Sequence, residues 1–140
     1  MKLRVKVGMK PTEDRTKLET AVKKIFPTVS LELVGENLVG ESTDVNALSR
    51  LHQLFRQQAI LDSARSVLLA KRRENITRFM LNKQAAFVGR VSFTDGEAPL
   101  GPISVTLEAP DLDYLIDYLA PKTRDGRPIR EIEYREKNQQ

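Results

Sequence analysis

The amino-acid sequence predicts an α+β domain in which helices pack on one face of a mostly antiparallel sheet. Segments that alternate apolar and polar residues are grouped along the chain, whereas a parallel sheet would need strands that alternate strictly with helices. A chain of 140 residues has room for one domain with a substantial core. We expect a single domain over residues 1–121, followed over 122–140 by a polar loop or short strand and a flexible tail.

The first part of the chain predicts a strand, a helix and two further strands. Residues 3–9 alternate apolar and mostly basic side chains, which predicts a strand with one wet, basic face. A helix follows from Thr12 to Phe26, and Pro27 stops it. Residues 29–33 alternate as a second strand, and the apolar pair Leu38–Val39 adds a short candidate strand.

The middle of the chain is helical. Apolar residues recur at helical spacing over 45–55 and again over 60–68. Because no glycine or proline separates the two runs, the sequence allows two helices or one long or kinked helix of roughly 30 residues. The cluster 71–74 closes this region, with cations near the helix C-terminus, where the dipole favours them.

The stretch FMLNKQAAFVGRVSF, residues 79–93, predicts two strands with an interruption between them. A continuous strand would direct Lys83 into the core, where an unpaired ammonium costs several kcal/mol. We therefore expect a turn or a one-residue bulge over 82–86 that avoids this burial.

The remainder predicts one more strand and one more helix. Residues 94–97 read as a turn and 98–102 as a loop, and residues 103–107 alternate as a strand. Apolar residues at helical spacing over 112–119 form the last helix, which Pro121 ends. A short strand is expected within 129–132.

Composition excludes several classes of function. The chain contains no cysteine, which removes disulfides, thiolate catalysis and cysteine-ligated zinc, and fits a reducing cytoplasm. No stretch approaches the roughly 18 apolar residues of a membrane span, and the basic start lacks the apolar region of a signal peptide. We therefore expect a cytoplasmic protein with no membrane role.

No motif predicts catalysis, and we expect no catalytic residue, no cofactor and no metal. Residues 35–42 have the spacing of a phosphate-binding loop, but Glu41 replaces the essential lysine and would repel phosphates. The single histidine, His52, lies on a helix flank. The one candidate for a metal-assisted enzyme is an acidic cluster at the start of the last helix, although dipole complementation and solubility explain it better: Asp111, Asp113 and Asp117.

The distribution of charge is more informative than the net charge of +4. Between residues 65 and 90 the chain carries seven basic side chains and a single acid, Glu74. Contacts to phosphate require only cations and donors on a common face, so this region is a candidate for binding nucleic acid. The alternative is a set of solvated helix ends. The basic residues are Arg65, Lys71, Arg72, Arg73, Arg78, Lys83 and Arg90.

Four sequence blocks resemble an archaeal protein family, UPF0201, which has been linked to RNA binding. They are ILDSAR at 60–65, FMLNKQAA at 79–86, LGPISV at 100–105 and LAPKTRDGRP at 119–128. LNKQAA is the most specific of these, and the resemblance spans essentially the whole chain. It implies an α+β fold similar to that of ribosomal protein L5, which holds the 5S RNA. It also implies a role in RNA binding and a homodimer, and it supplies no catalytic residues.

We therefore predict a non-enzymatic protein that contacts the phosphate backbone of structured RNA by shape, without sequence readout. The alternative is a homo-oligomeric interaction module with no role in nucleic-acid binding. The predicted RNA-binding residues are Lys71, Arg72, Arg73, Arg78, Asn82, Lys83, Gln84 and Arg90.

Overall fold

A five-stranded antiparallel sheet forms the centre of the molecule in the computed structural model, which describes residues 1–96 and 100–134. The strand order is β2-β3-β1-β5-β4. This arrangement confirms the predicted α+β class, and the likeness to ribosomal protein L5 remains a prediction. The strands are β1 (Lys2–Gly8), β2 (Glu32–Val34), β3 (Asn37–Ser42), β4 (Ile76–Asn82) and β5 (Pro102–Glu108).

Five α-helices and a short 3-10 helix accompany the sheet in the described part of the chain. They are α1 (Arg15–Ile25), the 3-10 helix (Val45–Leu48), α2 (Ser49–Gln57), α3 (Leu61–Ala70), α4 (Lys83–Phe87) and α5 (Leu112–Leu119). Two very short strands, β6 (Thr123–Arg124) and β7 (Arg127–Pro128), pair as a separate hairpin.

Residues 1–96 and 100–134 cover only one face of the sheet. Leu3, Val5 and Val7 of the central strand are fully buried in a core cluster that also holds the apolar residues of the helices. Lys2, Arg4 and Lys6 alternate with them and are exposed. The apolar side chains of β1 therefore face the core and its basic side chains face solvent, as the sequence predicts.

The helical stretch over 45–70 is broken into separate helices at Ala59. Its backbone adopts a left-handed φ of 55°, which ends α2 without a glycine or proline. The Gln58 side chain then holds the turn to a distant segment, accepting from Val91 N at 2.7 Å and donating to Val91 O at 2.8 Å. The two-helix alternative is therefore the correct one.

The expected interruption after β4 is a helix, and the second predicted strand does not form. The Asn82 carboxamide oxygen accepts from Ala85 N at 2.9 Å and caps α4, so the chain turns away from the sheet. It returns with a single bridge between Leu81 and Phe93 and with hydrogen bonds from Asn82 N to Ser92 O and from Thr94 N to Met80 O.

The described part of the C-terminal segment packs against the domain. The strand expected within 129–132 is replaced by the hairpin of β6 and β7. Beyond it, Tyr134 is 7 % exposed and donates its hydroxyl to Asp111 Oδ1 at 2.6 Å. Most of the expected flexible tail lies in 135–140, outside the described residues, as does part of the predicted 94–102 turn and loop. Within the described ranges, no helix has the length and apolar character needed to cross a bilayer.

Candidate nucleic-acid interface

The uncovered side of the five-stranded sheet presents a row of basic side chains along its central strand. We call this surface, formed by the outward residues of β1 and its neighbours, the open face. Lys2, Arg4 and Lys6 point outward from β1, and Arg78 points outward from β4. Because a strand turns successive side chains to opposite faces, the three β1 cations lie on one side at two-residue intervals.

The strand register aligns Arg4 and Arg78 across the sheet. Thr106 of β5 pairs with Arg4 on one side and with Arg78 on the other. Two strand spacings separate the two arginines, which is about 10 Å between their backbones. In the next row, Ser104 stands between Lys6 and Met80. The face thus combines cations with hydroxyl groups, the donors that contact a phosphate backbone.

Three acids lie on this face: Glu41, Glu108 and Glu32. Glu108 of β5 is opposite Lys2, and Glu32 of β2 is opposite Val39, which is itself opposite Lys6. Glu41 of β3 is the cross-strand neighbour of Arg4. Its carboxylate lies 3.8 Å from Lys2 Nζ and 3.7 Å from Arg4 Nε, and all three side chains are about half exposed. Ion pairs of this length at the surface contribute little to stability. Glu41 therefore moderates the charge of the open face without fixing its shape.

A groove beside β4 joins the open face to the end of α3. It is lined by two of the predicted RNA-binding residues, Lys71 and Arg78, together with Met80, Ser104 and Thr106. Both cations are exposed. The structure thus brings two of the eight predicted residues to this groove.

Lys83 is placed in the interior, contrary to the expectation that the interruption would keep it out of the core. Its side chain is only 2 % exposed. The ammonium donates to Gly8 O at 2.8 Å and Leu100 O at 2.6 Å, and it pairs with Glu13. The burial is tolerated because every donor is satisfied. Because its ammonium is buried and fully paired, Lys83 is not available to contact a phosphate at the surface.

Two of the predicted residues at the end of α3 take up local contacts. Arg72 forms an ion pair with Asp113 of α5 and donates to Glu74 O at 3.1 Å. Arg73 donates to Arg72 O at 2.9 Å and remains exposed. Arg72 is therefore committed to joining α3 and α5, on the helical side of the sheet.

The remaining predicted residues follow the turn into α4. Asn82 uses its carboxamide oxygen as the helix cap. Gln84 and Arg90 are exposed, but α4 packs against α1 and the chain continues into buried Val91. Gln84 and Arg90 therefore follow the chain into the helical layer. Asn82, the last residue of β4, has the outward phase of Arg78 and Met80 and lies at the end of the open face.

The acidic cluster is divided among separate partners. Asp111 accepts from Tyr134, Asp113 pairs with Arg72, and Asp117 lies 2.8 Å from Arg65. Among the described residues no group of three His, Cys, Asp or Glu side chains could hold a metal. In the stretch 35–42, residues 35–36 form the turn between β2 and β3, with Gly35 at a φ of 63°, and residues 37–42 are strand β3.

His52 lies in a cluster that attaches the C-terminal segment to α2. Its ring stacks on Tyr118 with centroids 4.5 Å apart. Arg56 donates to His52 O at 2.8 Å and to Glu131 at 2.7 Å. Burial, followed by the Arg56 cation, lowers the pKa of His52. The hydrogen bond from Arg56 lowers the pKa of Glu131. These contacts hold the C-terminal segment around Glu131 against α2, so we assign this cluster a structural role.

Sequence reasoning omitted the β1 cations from the site. Their alternation was recognised as a basic face, but nothing in one sequence showed that β1 would be the central strand. The interface was therefore assigned to the densest run of cations, between 65 and 90. The strand order places Lys2, Arg4 and Lys6 beside Arg78 instead.

Comparison with known proteins identifies relatives over nearly the full chain. A family model described as RNA binding matches residues 2–109. A UPF0201 protein of Sulfurisphaera tokodaii is 43% identical over 136 residues, covering 93% of this chain and 94% of the relative. A UPF0201 protein of Aeropyrum pernix is 42% identical over 139 residues, covering 94% and 92%.

A solved structure has the same fold. The crystal structure of a UPF0201 protein from Methanococcus jannaschii superposes with a TM-score of 0.83 at 36% identity, covering 93% of this chain and 100% of that chain. The exposed basic side chains of the open face and the family model described as RNA binding are the two observations that concern the function of this surface.

Proposed function

This chain belongs to the archaeal UPF0201 family, and we propose that it binds structured RNA through the open face of its sheet, without catalytic activity. The cations of this proposed interface are Lys2, Arg4, Lys6, Lys71 and Arg78. The single observation that carries the proposal is the alignment of Arg4 and Arg78 on either side of Thr106, on a face that no helix of the described chain covers.

The proposed mode of binding is electrostatic. Lys6 and Arg78 are exposed, and among the described residues neither side chain forms an ion pair or hydrogen bond. Such cations can release counterions from a phosphate backbone without first breaking a contact inside the protein. Ser104 and Thr106 supply hydroxyl groups between them for phosphate or 2′-hydroxyl oxygens.

The face suits backbone readout better than base stacking. Its outward side chains in β1, β4 and β5 include no aromatic ring. The rings of Phe79 and Phe93 pack against each other with centroids 5.9 Å apart. Single-stranded RNA is bound chiefly by stacking on aromatic side chains, whereas duplex RNA is bound by shape and backbone contacts. We therefore propose structured RNA as the ligand class.

A titration of a short RNA duplex with the protein at several salt concentrations tests this function. The proposal predicts binding at low salt and a clearly negative slope of log affinity against log salt. No binding at low salt, or a slope near zero, would contradict it.

A homo-oligomer is a second candidate, because the edge strand β2 exposes apolar residues. Leu33 is 45% and Val34 59% exposed, and the outer edge of β2 pairs with no other described strand. An edge of this kind can pair with a second copy. Light scattering that shows a dimer, together with absence of RNA binding, would favour this candidate over the first.

A further inference from the structure

A cleft of about 640 Å³ lies at one end of the open face. It opens where β1 ends, between the turn that leads to α1 and the segment Leu100–Pro102, and we call it the end cleft. Lys6 and Ser104 line it and also belong to the open face. Its size is that of a small-ligand site. An RNA that lies on the open face would therefore pass beside this cleft.

Opposite walls of the end cleft are held by a single buried cation. The Lys83 ammonium donates to Gly8 O in one wall and to Leu100 O in the other. The Glu13 carboxylate pairs with Lys83 and also accepts from Lys10 N at 3.0 Å, which fixes the turn between them. The cleft is thus preformed, which reduces the entropy lost when a ligand binds.

The same cation makes the end cleft suitable for an anionic ligand. Glu13 lines the cleft and is 9 % exposed, and an unpaired carboxylate there would repel a phosphate. Its pairing with Lys83 neutralises that charge. Lys6 then contributes a cation at the mouth of the cleft, and Glu36 is the other acid among the described lining residues. Phosphate is therefore favoured near the mouth that Lys6 shares with the open face.

The other lining groups match a nucleobase. Met9, Pro11 and Pro102 supply apolar surface, which can pack on the two faces of an extruded base. Asn37 offers both a hydrogen-bond donor and an acceptor. We propose that the end cleft receives one unpaired nucleotide of the bound RNA, with its phosphate at Lys6 and its base beside Asn37. This inference rests on the proposed function and adds a preference for RNA that has an unpaired residue.

Gly8→Val is the variant that tests the proposal. Gly8 lines the end cleft, and a Cβ added there would meet only Asn37 Oδ1, at 3.7 Å, which is ordinary contact. Its φ lies outside the left-handed region, so valine should be accommodated while its methyl groups fill the cleft. Thermal melting of the variant checks that it folds. Asn37→Ala, which removes the base-recognising amide, is the second variant.

The measurement compares a short RNA duplex with the same duplex carrying a one-nucleotide bulge. We expect the wild-type protein to bind the bulged RNA about tenfold more tightly, equivalent to about 1.4 kcal/mol. Both variants should lose this preference while they bind the perfect duplex with unchanged affinity. Equal binding of the two RNAs by the wild-type protein would overturn the end-cleft proposal and leave the proposed function standing. Binding of neither RNA would overturn both.

Free nucleotides distinguish the source of the ligand. Nucleoside monophosphates added to the labelled protein should produce only weak NMR shifts in residues 6–11 and 100–104, because they lack the adjoining backbone contacts. A free nucleotide that binds more tightly than the bulged RNA would overturn the assignment of the occupant to RNA.

Discussion

The Lys83 ammonium nitrogen lies 3.2 Å from both carboxylate oxygens of Glu13, although the two residues are 70 positions apart. Both side chains are nearly inaccessible, at 2 % and 9 % exposure. The pair joins the start of α4 to the turn before α1. It also determines the charge and the walls of the end cleft.

Removing the Lys83 charge should destabilise the fold strongly. Lys83→Met leaves the Glu13 carboxylate buried without its partner, so we expect the free energy of unfolding to fall by about 3–5 kcal/mol. Urea denaturation measures this. Adding Glu13→Gln should recover part of the loss, because the uncompensated charge is then gone. Arg15→Met, which breaks the exposed 2.8 Å pair with Glu19, is the control and should change stability by about 0.5 kcal/mol. Equal losses in both single variants would contradict the assignment.

Gly40 should tolerate no side chain. An added Cβ would lie 2.5 Å from Val29 Cγ1 and 2.7 Å from Ser30 O, so the backbone must shift. We expect Gly40→Ala to lower the free energy of unfolding by about 1–3 kcal/mol or more. Gly8→Ala, whose Cβ meets only an ordinary contact, should stay within about 0.5 kcal/mol. Thermal melting of the two variants compares them. A Gly40→Ala protein that melts with the wild type would show that this packing is misplaced.

His52 should make stability depend on pH. Because burial lowers its folded pKa below the ordinary 6.5, the unfolded chain binds the proton more readily. The stabilising contribution is therefore complete above that value and declines as the pH falls through and below 6.5. Glu131, whose folded pKa is also lowered, keeps its full stabilising contribution above its ordinary 4.5 and loses it only as the pH falls below that value.

The test compares urea denaturation at about pH 7.5 and about pH 5, on either side of the ordinary histidine pKa. The wild-type protein should be less stable at the lower pH. His52→Phe keeps a ring against Tyr118 but cannot titrate, so most of that difference should disappear. A difference that survives in the variant would assign the titration to another group.

Glu41 should weaken binding to RNA. It lies beside Lys2 and Arg4 on the open face, where its charge opposes a phosphate. We expect Glu41→Gln to raise affinity for duplex RNA about threefold at low salt, with the gain shrinking as salt screens it. Fluorescence anisotropy measures this. Glu19→Gln on α1 removes the same charge from the helical layer and should leave affinity nearly unchanged. A gain from Glu19→Gln as large as that from Glu41→Gln would argue against the open face.

Most of the fold could be predicted from local patterns in the sequence. Alternation in β1 and β5 and helical spacing in α1 and α5 are properties of contiguous residues, so the sequence alone predicts these elements. The helix break at Ala59 could not be predicted, because nothing in the sequence marks an alanine with a left-handed backbone. The sequence also did not predict α4. This helix has only five residues after its Asn82 cap, which is too short for apolar residues to recur at helical spacing.

The site was less predictable, because it depends on distant partners. Lys83 was expected outside the core because its carboxylate partner, Glu13, lies 70 positions away in sequence. In the same way, Arg4 and Arg78 become neighbours only through the register of β1, β5 and β4. One sequence identifies which residues are basic, but the pairing of strands decides which of them share a surface.

The salt dependence of RNA binding by a charge variant of the open face tests the central claim most directly. Each lost phosphate contact should reduce the magnitude of the log-log slope by roughly one unit. The combined variant Arg4→Gln, Lys6→Gln and Arg78→Gln should therefore lose about two to three units. A control with the same change in charge alters exposed residues of α1, by Arg15→Gln, Lys17→Gln and Lys23→Gln.

The account predicts that the open-face variant loses most of its slope and affinity, while the α1 variant keeps the slope of the wild type. An open-face variant with an unchanged slope, or an α1 variant that loses as much, would contradict binding at the open face.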